Sequence, residues 1–372
     1  MDPAGGIMRI AYFVNSFNAI NWGGQATSAG LKRLVEQNYP HAEFVPLNLP
    51  KLPFRHCAPL RAFFEHKLAR AILADNVAGV ASNLRRLNIS LTLFNGFDTV
   101  CFNGEGAIHA RSGHLIRLMG MLYYFKHAGC FVSALNQTVD LGRPSLARKV
   151  VAHVYRTLDY VSAREPVSFR ELVALGVRAQ LVPDAAYALP RLSETEIEAL
   201  TSGLNLPPHF IGVTGSSALS KSSTRTMDRL LTLIHAHYQM PIVFLANAKT
   251  DIALAKALSQ KHGFLTIQPP VRYEQAMAVV AKAHLIIGGR QHPNIFAAMH
   301  RVPFVPFRGN THKMEGVVEL LGYPLHVLPW NSDARVIQGA FLDVDRLYDA
   351  IRAIDAPRVT TLVLSQKGEA AK

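Results

Sequence analysis

A chain of 372 residues that is 49% hydrophobic and only 17% charged is long enough for two domains with cores of their own and too apolar to be disordered throughout. Its 39 Lys plus Arg against 26 Asp plus Glu leave a formal charge of +13, which favours an acidic partner: a phosphorylated metabolite, an anionic membrane surface or nucleic acid. Cys57, Cys101 and Cys130 are an odd number and widely spaced, with no CxxC pair and no local histidine at ligand spacing; they indicate neither a disulfide framework nor a structural zinc site and fit a reducing cytosol best.

The amino end, MDPAGGIMRIAYFV, lacks a basic segment followed by a signal-type apolar stretch, and its apolar part predicts a first strand over residues 8–14. Helices follow over 26–37 and 61–87, a strand over 99–103, a helix over 115–127, a strand over 131–135, a helix over 146–158, and strands over 160–163 and 180–183. The most apolar later segment, HLIRLMGMLYYFKHAG, carries Arg117 and Lys126; it is too short and too charged to span a bilayer and reads as a buried helix. Prolines, a glycine and a short acidic helix in LPRLSETEIEALTSGLNLPPHF suggest a linker over 191–208. Beyond it, strands are expected over 210–214, 242–246, 265–268, 285–288 and 302–306, with a helix starting near Asn294. Such alternation predicts α/β layers with mainly parallel strands, in two sheets with a cleft between them. The domains expected are 1–190 and 209–355, with a frayed tail over 356–372.

Four polar, glycine-containing constellations fall at predicted strand ends, where open α/β sheets bind ligands. In NSFNAINWGGQATSAGL, Gly23 and Gly24 let the backbone approach a ligand ahead of a helix whose positive end suits an anion; the alternative is a glycine-supported helix start and nothing more. In VCFNGEGAIH, read as strand then glycine-rich turn, Asn103, Glu105 and His109 suit a polar substrate and Glu105 a base; the alternative is a structural turn with a solvated carboxylate. Arg164 ends a strand ahead of a helix opened by Pro166, and either projects into the cleft or is spent on an ion pair with Asp184. In LIIGGRQHPNIFAAMHRVPFVPF, Arg290 offers a planar fork to carboxylate or phosphate and His292 a proton near neutral pH, while Lys313 adds a compact positive charge downstream. The strand end GVTGSSALSK adds hydroxyls, Ser216 among them, and a lysine suited to an anion.

Taken in order, NWGGQATSAGL, NGEGAIH, the VSAREPVSFRELVALGV…LVPDAAYAL block and GGRQHPNIFAAMHRVPFVPF…HK resemble the polysaccharide pyruvyl transferase family over roughly residues 15–322. The last two blocks are the specific ones. The resemblance implies a GT-B-like fold, two Rossmann-like domains facing a central cleft, with the acceptor side and part of the donor site on the first and the donor side on the second. It implies transfer of pyruvate from phosphoenolpyruvate onto sugar hydroxyls as a cyclic ketal, with release of phosphate. Arg164 and the Arg290-Gln291-His292 segment then belong to the donor site, with Arg290 and His292 catalytic, and Lys313, Gln291, Gly23, Gly24, Asn103, Glu105 and Ser216 contacting substrate. The family usually has Leu at the position of Gln291 and commonly an acidic residue near Gly24 or Gln25.

The implied chemistry needs cations around a small, doubly anionic donor and an acid for its methylene carbon, but no nicotinamide, flavin or metal. The implied acceptor is a sugar on a lipid-linked oligosaccharide or related envelope precursor, which places the protein in the cytoplasm. The basic segment RPSLARKVVAHVYR, 143–156, is either a contact with the inner membrane face or a solvated helix face. Rival readings are a nucleotide-sugar glycosyltransferase and a noncatalytic glycan-binding or assembly protein. Nucleic-acid binding ranks last, because neither a known module nor basic–aromatic interleaving is evident.

Overall fold

The computed structural model describes residues 7–47, 58–110, 112 and 114–365. Cys57 and residues 366–372 of the expected tail lie outside them. In the first half the elements are β1 (Arg9–Phe13), α1 (Trp22–Asn38), β2 (Glu43–Leu47), α2 (Ala58–Leu73), α3 (Val77–Arg86), β3 (Thr99–His109), α4 (Leu115–His127), β4 (Phe131–Asp140), α5 (Leu146–Thr157), β5 (Tyr160–Ala163), α6 (Pro166–Ala174) and β6 (Gln180–Leu181). The second half contains α7 (Glu194–Thr201), β7 (Ile211–Ser216), α8 (Thr224–Tyr238), β8 (Ile242–Leu245), α9 (Lys249–His262), β9 (Leu265–Ile267), α10 (Tyr273–Lys282), β10 (Leu285–Gly289), α11 (Gln291–Met299), β11 (Phe304–Pro306), α12 (Lys313–Leu320), α13 (Ala334–Arg346) and α14 (Tyr348–Arg352). The strands form two sheets, in the orders β2-β1-β3-β4-β5-β6 and β11-β10-β7-β8-β9, and every pairing is parallel.

Three local readings change. The helix expected over 61–87 is two helices, because Asp75 adopts a left-handed φ of 51° and the Asn76 side chain caps α3 by accepting from Gly79 N at 2.8 Å. β2 was not anticipated; its Pro46 is tolerated because the strand pairs with β1 alone, at the sheet edge. NGEGAIH is a bulged continuation of β3 and not a turn: the register with β4 shifts between Glu105 and Ile108. Gly104 is required there, since a Cβ would sit 2.6 Å from the Gln137 Cβ.

By contacts the chain divides into two units, and the division differs from the sequence-based one. One unit gathers the described residues of Met1–Asn15, Leu31–Asp184 and Thr360–Lys372; the other gathers Ser16–Gly30 and Ala185–Val359. Residues 16–30 join the second unit because Trp22 Nε1 donates to Val271 O (2.8 Å), Gln25 Oε1 accepts from Tyr273 N (3.0 Å), and Gly30 lies flat on the Ala185 carbonyl. The expected linker contains α7, opened by a Ser193–Glu196 capping box and tied to α10 by Glu198–Lys282 at 2.7 Å. The described part of the tail is docked: Leu364 is buried, its carbonyl accepts from Thr99 Oγ1 (2.8 Å) and its amide donates to Tyr39 Oη (2.9 Å).

The core of the first unit surrounds Phe13, Phe102, Tyr123 and Phe125 and takes in Val150, Val151 and Val154 of α5. Cys101 and Cys130 are buried free thiols, and burial pushes Cys101 up to about 12. Among the described residues no helix is long and apolar enough to cross a membrane.

Candidate active site

In the second unit the fully buried strand β10 delivers Arg290 at the N-cap of α11. Gly288 has φ 149° and lies where a Cβ would approach Thr214 Oγ1 to 2.2 Å, so glycine is needed to bring β10 this close to β7. Arg290 Nε donates to Asp251 Oδ2 at 2.9 Å, while Nη2 donates to Asp251 Oδ1 at 2.8 Å and Thr250 Oγ1 at 3.1 Å. Asp251 is fully buried in the first turn of α9, and the missing Cβ of Gly215 makes room for it. Burial pushes its carboxyl above the usual range, and the Arg290 guanidinium opposes that shift. The Arg290 side chain keeps 15% exposure, and the edge of its fork formed by Nε and Nη2 is anchored on the carboxylate, while Nη1 takes no part in these bonds.

His292 is half-buried in the first turn of α11. The backbone of Gly23 rests against its imidazole: a Cβ on residue 23 would fall 2.0 Å from Nδ1. Gly23 and Gly24 lie in the first turn of α1 and not in a loop before it, and Gly24 N donates to Asn21 Oδ1 at 2.6 Å. Gln291 is buried at the start of α11. Asn294 holds the strand-to-helix turn, donating from Nδ2 to Arg290 O at 2.8 Å.

Lys313 opens α12, and its Nζ donates to Ser217 Oγ and Asn310 Oδ1, each at 3.0 Å. Ser216 is paired with Gly289 across the sheet, but its hydroxyl is used structurally, donating to Arg308 O (2.7 Å) and accepting from Ala218 N (3.0 Å). The hydroxyl beside Lys313 is therefore that of Ser217. Sequence reasoning missed Ser217, Asn310 and Asp251; SS in GVTGSSALSK was the only signal for the first, and a lone Asp in a helix carries none for the last.

The first unit holds the other three expected residues. Asn103 is fully buried, with Nδ2 donating to Tyr12 Oη (2.9 Å) and Glu105 Oε1 (3.0 Å) and Oδ1 accepting from Asn136 Nδ2 (2.8 Å). Val14, Glu105 and Asn136, on or just beyond the neighbouring strands β1, β3 and β4, have φ of 65°, 38° and 52°, and for a β-branched valine that conformation is strained. Arg164 does not project into open space. Its Nη1 donates to Asp184 Oδ2 (2.8 Å) and Nε to Thr138 Oγ1 (2.9 Å), with both ion-pair side chains only 2% exposed. The ion-pair alternative therefore holds, because a buried guanidinium needs a carboxylate beside it. Among the described residues no group of three His, Cys, Asp or Glu side chains is placed to hold a metal.

Two parallel-sheet α/β units of this kind define a GT-B-like protein. The fold is similar to UDP-GlcNAc 2-epimerase from Neisseria meningitidis bound to UDP-GlcNAc (13% identity, TM-score 0.55, covering 94% of this chain and 95% of that one). It is also similar to Methanocaldococcus jannaschii UDP-GlcNAc 2-epimerase in complex with UDP-GlcNAc and UDP (12%, 0.57, 98% and 98%) and to S. aureus MnaA with UDP (14%, 0.58, 95% and 93%). At these identities the likeness is one of fold. The sequence profile of the polysaccharide pyruvyl transferases matches residues 21–311, and the chain belongs to that family. No curated protein matches it in sequence.

Proposed function

We propose that the protein transfers pyruvate from phosphoenolpyruvate to two hydroxyls of a sugar in an exopolysaccharide or cell-envelope glycan precursor, as a cyclic ketal. The observation that supports this best is the end of β10, inside the family-matched span, where Arg290 is anchored by its buried carboxylate and His292 lies against Gly23. Phosphoenolpyruvate carries a carboxylate and a phosphate on a three-carbon frame and needs fixed cations. Arg290 and Lys313 fill that role, and Arg164, committed to Asp184, leaves the donor set.

In the proposed reaction the His292 imidazolium gives its proton to the methylene carbon, making a methyl group and leaving the phosphate-bearing carbon electron-poor. A sugar hydroxyl attacks that carbon and loses its proton. The carbon–oxygen bond to phosphate then breaks, phosphate leaves with that electron pair, and the cations hold the charge gathering on it. A second hydroxyl adds to the same carbon, closes the ketal and releases its proton. The sequence needs no redox cofactor and no metal. Glu105 remains the candidate base on the acceptor side, while Asp184 is withdrawn because it neutralises Arg164. The acceptor is proposed to be a sugar on a lipid-linked oligosaccharide, met at the cytoplasmic membrane face.

Calorimetric titration with phosphoenolpyruvate, with UDP-GlcNAc as the control ligand, tests the reading on wild type, Arg290→Lys and Lys313→Met. Saturable phosphoenolpyruvate binding, weakened about tenfold or more by Lys313→Met as expected for loss of a charged hydrogen bond, supports it. Binding of UDP-GlcNAc with indifference to phosphoenolpyruvate would replace it with nucleotide-sugar transfer.

A further inference from the structure

The segment 143–156, the sequence's candidate for membrane contact, exposes Arg143, Lys149 and Arg156 but no large apolar side chain. The apolar face of α5 is core, Arg148 is paired with Glu171 at 2.6 Å, and Arg156 donates to the Leu175 carbonyl. The outer face of α2 has the opposite character. Leu68, Ala69 and Ile72 bury its inner side, and Glu65, its one acid, turns toward Arg117 Nε of α4 at 3.3 Å. Leu60 and Phe63 stand 37% and 50% exposed, and His66, Lys67 and Arg70 continue the exposed surface.

Arg85 and Arg86 of the neighbouring α3 are exposed as well, and Arg86 lies 5.7 Å from the centre of the Phe64 ring. Lys67 Nζ sits 4.4 Å over Phe63. Helices α3 and α4 contain no acid. Asp75, in the turn between α2 and α3, is engaged by His153 (2.8 Å) and Tyr123 (3.2 Å). The fold thus assembles a basic–aromatic surface from two helices that sequence inspection did not reveal.

We propose that this face of α2 and α3 docks on an anionic lipid bilayer, with Leu60 and Phe63 entering the headgroup layer and Lys67, Arg70, Arg85 and Arg86 facing lipid phosphates. Two exposed apolar side chains at the start of a helix, followed by exposed cations while its one acid, Glu65, turns toward Arg117, match an interface that is apolar below and negatively charged above. Charge complementarity selects this occupant in a chain of formal charge +13. The lipid-linked acceptor rests on the proposed function; the surface itself does not.

The test is co-sedimentation of the full chain with vesicles of phosphatidylglycerol and phosphatidylethanolamine, against vesicles of phosphatidylcholine alone, at physiological salt. Wild type is expected to prefer the anionic vesicles by tenfold or more, on the order of what a few basic side chains supply. Leu60→Ser with Phe63→Ser should weaken that binding about tenfold, and Lys67→Glu with Arg70→Glu should abolish the preference. All variants should keep the wild-type circular dichroism and phosphoenolpyruvate binding, and Lys149→Glu on α5 should change nothing. Equal vesicle binding by wild type and both double variants, no binding to anionic vesicles, or a preference for a soluble polyanion such as heparin that the apolar variant retains in full would each overturn the proposal. Vesicle binding with calorimetric silence toward phosphoenolpyruvate would sink the functional reading and leave the docking surface standing.

Discussion

Arg164 and Arg290 each follow the last residue of a buried parallel strand, and each meets an aspartate at 2.8 Å. In the first unit both partners are only 2% exposed and the guanidinium is enclosed. In the second, Asp251 is fully buried while Arg290 reaches the surface at 15%. The same local signal therefore yields a structural pair in one unit and a presented cation in the other. What separates them is the burial of the arginine, not its place in the chain.

The largest expected effect is on the enclosed pair. Arg164→Ala leaves Asp184 buried without its cation and should cost about 3–5 kcal/mol in urea unfolding, with much of the loss recovered by Arg164→Met with Asp184→Leu. A stable Arg164→Ala protein that loses phosphoenolpyruvate binding would break the comparison and return Arg164 to the donor site.

Acid comes next, acting in the second unit. Burial lowers His300 from 6.5 to about 4, so the unfolded chain takes up a proton that the folded chain refuses. Its contribution to stability is whole above 6.5 and drains away as the pH falls toward 4, on the order of 3 kcal/mol at about 1.4 kcal/mol per unit. Both tryptophans, Trp22 and Trp330, belong to the second unit, so fluorescence-detected urea midpoints between these pH values should fall, and His300→Gln should flatten the slope.

Asp251→Asn keeps the shape of the presented pair and removes its charge. We expect about 1–3 kcal/mol of lost stability and a roughly tenfold higher KM for phosphoenolpyruvate in a phosphate-release assay. A change in stability with KM untouched would make Asp251 as purely structural as Asp184. Gly23→Ala drives a methyl group into His292 and should cost about 1–3 kcal/mol together with turnover. Gly106→Ala in the first unit, with nothing within 4 Å of the new carbon, should stay within about 0.5 kcal/mol.

Strand and helix existence was largely legible. The buried runs at Tyr160–Ala163 and Leu285–Gly289 and the helix at Leu115–His127 carry their periodicity in adjacent residues. The break at Asp75 and the bulge at Glu105 were not, because a left-handed φ at a non-glycine residue has no strong local signature. At the site, Arg290, His292 and Lys313 were legible from strand ends and family motifs. Asp251 and Ser217 were not, because a partner 39 residues away is chosen by packing.

By itself the sequence determined the alternation of parallel strands and helices, the family and the segment that bears the proposed donor cations, since these depend on short-range pattern and motif order. Tertiary structure alone decided that residues 16–30 join the second unit and seat Gly23 on His292. It also decided which arginine is enclosed and which helix turns apolar side chains outward. Burial is a property of what the rest of the chain places against a residue, and a charge or an aromatic ring acquires its role from that burial.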